Sequence, residues 1–99
     1  MASVTLHAFA KINLSLRIKA ARADGFHEVQ TILQAVDLCD RVRCGARRGP
    51  FAIQCSTPGV PTDRTNLVWK AAQLLWTAAG RDGEPRGAVV TLEKNIPME

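Results

Sequence analysis

Lys11 and Asn13 stand two residues apart in the segment Ala8-Phe9-Ala10-Lys11-Ile12-Asn13-Leu14. On an extended strand that spacing brings both side chains out on one side, roughly 6.6 Å apart. A lysine so placed can steady a catalytic carboxylate and the charge that grows on a phosphoryl group in transfer. From spacing alone, an exposed lysine on a half-wet strand is the plainer reading. Phe26 and His27 follow an Asp24-Gly25 turn. A flat ring can stack on a pyrimidine, and an imidazole can hydrogen-bond its edge. The same two residues serve equally well as a core aromatic and a polar strand start. Asn66 is either a helix cap or an adenine contact, and the cap is the simpler role.

The elements that must position these residues can be read from period and punctuation. Leu6, Ala8, Ala10, Ile12, Leu14, Leu16 and Ile18 alternate with His7, Phe9, Lys11, Asn13, Ser15, Arg17 and Lys19. Period two over this length predicts a strand with one buried face and one mostly polar face. Ala23 to Phe26 reads as a turn, with Gly25 free to take positive φ. A second long strand is expected from His27 to Leu38, a bend at Cys39-Asp40, and resumed alternation over Arg41 to Cys44. Gly45 to Pro50 is polar and basic and reads as a loop. Phe51, Ile53 and Cys55 predict a short strand, and the Pro- and Gly-containing run Thr57 to Arg64 a connection.

Leu67, Ala71, Leu74, Leu75 and Ala78 recur at helical spacing, with Thr65 or Asn66 as cap and Gly80 as stop. Trp69 and Trp76 flank that stripe. Arg81 to Gly87 reads as a loop and Ala88 to Lys94 as a last strand. The order β, β, β, α, β predicts a two-layer α+β domain. The last strand ends at Pro97 without a return element, which suggests an incomplete chain.

Composition narrows the class. The chain has 99 residues, room for one domain, and 46% hydrophobic residues, which argues against disorder. So short a domain is expected to leave apolar surface poorly covered. The net charge is +4, and arginines cluster at Arg41, Arg43, Arg47 and Arg48. Such a cluster suits nucleic acid, an acidic membrane or a phosphorylated small molecule, but a solvated face is the plain reading. Cys39, Cys44 and Cys55 are odd in number and lack metal-ligand spacing, so neither structural zinc nor a disulfide framework is expected. His7, Lys11, Asn13 and Arg17 interrupt any apolar leader, and no run reaches membrane-spanning length. A cytoplasmic protein with no membrane partner is expected.

Three segments together carry a resemblance. They are Ala8 to Leu14, Arg22 to Thr31, and Thr65-Asn66-Leu67-Val68 with the later Leu92-Glu93-Lys94-Asn95-Ile96-Pro97. In order and separation they resemble the 4-diphosphocytidyl-2-C-methyl-D-erythritol kinase family of GHMP kinases, enzymes of non-mevalonate isoprenoid biosynthesis, over essentially the whole chain. The resemblance implies residues 1–99 of a nucleotide-binding domain similar to the second domain of ribosomal protein S5. It implies that the chain ends before the glycine-rich loop that cradles ATP phosphates, and before the segment with the catalytic aspartate. It implies ATP and Mg²⁺ as cofactors and the cytidine diphosphate-linked methylerythritol as substrate. Lys11 becomes the catalytic lysine, and Asn13, Phe26 and His27 become substrate contacts. Asn66, Lys94 and Pro97 fall at the ATP site. The family often has tyrosine at the Phe26 position, so stacking is kept while a hydroxyl contact is lost. No metal ligand is assigned, and the chain alone is expected to be inert. The rival reading is a basic, S5-like nucleic-acid-binding module; the absence of Tyr and the scarcity of exposed aromatic candidates leave it short of a base-stacking platform.

Overall fold

A computed structural model of the chain describes residues 2–97. Five elements follow in order: β1 (Ser3–Ala21), β2 (His27–Pro50), β3 (Ala52–Cys55), α1 (Leu67–Ala78) and β4 (Arg86–Glu93). The strands form one mixed sheet in the order β1-β2-β4-β3. β1 with β2 and β2 with β4 run antiparallel, and β3 with β4 runs parallel across the helical connection. This is the expected α+β arrangement of a sheet with one helix.

Local chemistry accounts for the joints. At the hairpin between β1 and β2, the Asp24 carboxylate accepts the Phe26 N–H at 3.0 Å. Gly25 sits at φ 86°, a region that side chains avoid. The Asn66 side chain accepts the Val68 N–H at 2.8 Å and so caps α1. Val68 and Trp69 pack this helix onto Ile53, Val90 and Leu92, the buried core. Phe51 meets Trp69 edge-on, with ring centroids 6.4 Å apart.

Three expectations need correction. Gly45 to Pro50 is not a loop but the end of β2, where Gly45 pairs with Val89 and Ala46 with Ala88. Pairing to β4 at Gly45, Ala46 and Pro50 carries the strand through, with a register irregularity over residues 47–49 where Gly49 takes φ 100°, because strand preference follows neighbours more than composition. The bend foreseen at Cys39-Asp40 is a register irregularity inside one continuous strand. From Phe9↔Cys39 to Lys11↔Ala35, β2 advances four residues while β1 advances two.

The third correction concerns the buried face of β1. Leu6, Ile12, Leu14, Leu16 and Ile18 remain between 49% and 65% exposed. β1 is an edge strand, and α1 packs over the far side of the sheet. A bulge also breaks the alternation: from Asn13↔Leu33 to Ser15↔Ile32, β1 spends one extra residue. Asn13 and Leu16, three apart, therefore stand opposite Leu33 and Thr31, two apart, and share a face.

Core and edge should respond differently to truncation. Leu92→Ala removes a buried side chain and is expected to cost about 2–4 kcal/mol of unfolding free energy. Leu16→Ala, on the uncovered edge, is expected to change stability by no more than ~0.5 kcal/mol. Chemical denaturation of the two variants measures the contrast; equal losses would mean that β1 is packed.

Candidate functional site

A lone carboxylate organises the end of β4. Asp40 lies on β2 and is 9% exposed. Its side chain takes the Lys94 ammonium as ion-pair partner. It also accepts the N–H groups of Asn95 at 2.7 Å and Ile96 at 2.8 Å. The Asn95 side-chain amide donates to the Cys39 carbonyl at 3.0 Å, which ties the same turn to β2 a second time. Burial pushes the Asp40 carboxyl upward. Hydrogen bonds from Ile96 N–H, Lys94 and Asn95 N–H outweigh that, and its pKa falls below the ordinary 3.8.

This clamp forms one wall of a cavity of about 320 Å³. Asp40, Lys94 and Leu92 come from the sheet, Val60 and Pro61 from the connection, and Asn66, Leu67 and Val68 from the start of α1. Asn66, the helix cap, also donates its side-chain amide to the Pro61 carbonyl at 2.7 Å. The structure thus brings Asn66 and Lys94 together from sequence positions 28 residues apart. Pro97 is exposed and does not line this cavity. Met98 and Glu99, where the resemblance places the approach to a phosphate loop, lie outside the described residues.

The remaining sequence-derived residues occupy the β1–β2 hairpin. Lys11 pairs with Ala35, Asn13 with Leu33, and His27 with Ala21. Alternation along β2 puts Ala35, Leu33 and His27 on one face. Eight strand residues, about 26 Å, separate Ala35 from His27. Lys11 and Asn13 are neighbours, whereas Phe26 and His27 sit at the hairpin tip. Phe26 is 73% exposed. His27 Nδ1 lies 2.9 Å from the Lys19 carbonyl oxygen. A carbonyl only accepts, so Nδ1 carries the proton and Nε2 of the neutral ring is an acceptor.

Asp40 was missed in the sequence because its flank reads as a bend. The available signal was parity: Asp40 shares the even-numbered face with Val42 and Cys44, opposite the apolar Leu92 and Val90. A charge on an otherwise apolar face needs a partner. The arginine run also divides. Arg41 and Arg43 line a hollow with His7, and Arg41 pairs with Glu93 at 3.4 Å. Arg47 and Arg48 line a different one. Among the described residues, no group of three or more His, Cys, Asp or Glu side chains is placed to hold a metal ion. No helix among them is long and apolar enough to cross a membrane.

Comparisons with curated proteins and with solved structures point to the same kind of enzyme. No family model matches the chain. A protein of Methylococcus capsulatus named 4-diphosphocytidyl-2-C-methyl-D-erythritol kinase is 46% identical over 97 residues, which is 97% of this chain and 32% of that protein. A protein of the same name from Gloeobacter violaceus is 44% identical over 99% of this chain and 31% of its own length. A crystal structure of 4-(cytidine 5'-diphospho)-2C-methyl-D-erythritol kinase superposes with a TM-score of 0.67 at 34% identity, covering 96% of this chain and 32% of that one. The chain spans about a third of the length of the curated relatives it matches.

The pH dependence of stability isolates the clamp. The folded pKa of Asp40 lies below the unfolded one, so its contribution is complete above about pH 4 and fades as pH falls through the folded value. Urea midpoints between about pH 6 and about pH 3 should decline in the parent and decline less in Asp40→Asn. Equal declines would assign the acid sensitivity elsewhere.

Proposed function

We propose that this chain, a homologue of one third of the 4-diphosphocytidyl-2-C-methyl-D-erythritol kinases, is the amino-terminal part of a kinase for that cytidyl substrate. Its α+β layer then corresponds to the beginning of a GHMP nucleotide-binding domain of the ribosomal S5 domain 2 type. The observation that carries the reading is the cavity where Asn66 and Lys94 converge. Its volume and mixed lining suit the nucleoside end of ATP, with apolar Val60, Pro61 and Leu92 beside polar Asn66 and Lys94. The phosphates need backbone amides of a glycine-rich loop. No glycine-rich run occurs in these 99 residues. By themselves they are inert in this reading and bind ATP without saturation.

The substrate occupies the hairpin. Phe26 offers a face for stacking on cytosine, and His27 Nε2 an acceptor for its exocyclic amine. Lys11 and Asn13 meet the other end, where the hydroxyl is phosphorylated. An elongated diphosphate-linked molecule suits contact groups so far apart on one face. ATP, when bound, supplies the phosphoryl group. Lys11 balances the charge that develops there and holds in place the carboxylate that orients the hydroxyl, a residue of the remaining two thirds. Magnesium does not fit the residues described here, because Asp40 is committed to Lys94 and two amides.

The test is phosphorylation of 4-diphosphocytidyl-2-C-methyl-D-erythritol by the full-length protein that contains this chain, followed by phosphorus NMR. Turnover is expected with ATP. Lys11→Ala should lower kcat about a hundredfold or more while changing ATP affinity less. Normal turnover in that variant would return Lys11 to the solvated surface.

A further inference from the structure

Arg47, Arg48, Arg81 and Arg86 line one hollow of about 530 Å³ together with Trp76. They come from three places: the end of β2, the residues after α1, and the start of β4. Among the described residues, none of the four makes an ion pair. No acidic side chain lines the hollow. Arg81 and Arg86 both stand over the Trp76 ring, their guanidinium carbons 4.9 Å and 6.0 Å from its centroid. The ring itself is fixed by its Nε1–H, which donates to the Asp82 carbonyl at 3.0 Å. Arg47 Nε is shut off from solvent and has no hydrogen-bond partner. Four like charges gathered without a counter-charge form a receptor for an anion.

The hollow has a neighbour. A second cavity of about 300 Å³ lies between α1 and the sheet, lined by Leu75, Ala79, Val90 and other apolar groups. Trp76, Arg81 and Arg86 line both. The second cavity is large enough for a short hydrocarbon. Few polar groups there could satisfy water. We infer that the two cavities form one binding site for an amphiphilic anion, with a phosphate-class head on the arginines and a short hydrocarbon tail beside Leu75 and Val90. This site is distinct from the cavity of Asn66 and Lys94, with which it shares no lining residue.

Hexyl phosphate is a suitable probe, with inorganic phosphate and hexanol as head-only and tail-only controls. Calorimetry and tryptophan fluorescence on the full-length protein should show saturable binding of hexyl phosphate, at least tenfold tighter than either control. Arg81→Gln and, separately, the more peripheral Arg48→Gln should weaken it severalfold. Arg41→Gln removes the same charge away from the site and should leave affinity within twofold. Two results would overturn the inference: inorganic phosphate binding as tightly as hexyl phosphate, or equal weakening by Arg41→Gln. Absence of saturable binding to a folded parent protein would overturn it as well.

Discussion

A largely buried carboxylate must be answered by donors, and Asp40 is answered by three residues in succession. Lys94, Asn95 and Ile96 form the stretch that leaves β4, and Asp40 ties it to β2 together with the bond from the Asn95 side chain to the Cys39 carbonyl. The ion pair and the two amides pin it to β2, beside the strand pairing of Arg41 with Glu93. Asp40 and Lys94 thereby form one wall of the cavity that Asn66 also lines. Neutralising Asp40 would strand a largely buried ammonium, a loss on the order of 3 kcal/mol.

The rest of the molecule divides around this point. On one side lie α1, β3 and β4, joined by the Ile53, Val90 and Leu92 core. On the other side the β1–β2 hairpin extends away with most of its apolar residues exposed. Burial and ligand-sized hollows therefore concentrate where the helix lies. The hairpin offers a long surface with Lys11 and Asn13 at one end and Phe26 and His27 at the other.

Much of this could be read in the residues, and the failures have physical causes. Asn66 as cap, Gly25 in the turn, the helix from Leu67 and the α+β order depend on local rules, which hold without knowledge of neighbours. The buried face of β1 failed because alternation shows that a strand is two-faced but not what covers it. Leu14 is invisible as a bulge because its apolar character continues the pattern. The loop assigned to Gly45–Pro50 failed because pairing to Val89 and Ala88 is long-range. Lys94 could be placed at a site by resemblance, but its partner could not, since 54 residues separate Asp40 from Lys94.

Asp40 holds the chain as it leaves β4. Amide hydrogen exchange at Asn95 and Ile96, followed by NMR in the full-length protein and in Asp40→Asn, tests this directly. Both amides donate to Asp40 and should exchange slowly in the parent. In the variant they should lose more protection than core amides such as that of Val90, which fall only by the loss in global stability. Fast exchange of both amides in the parent, or unchanged protection in the variant, would contradict the account.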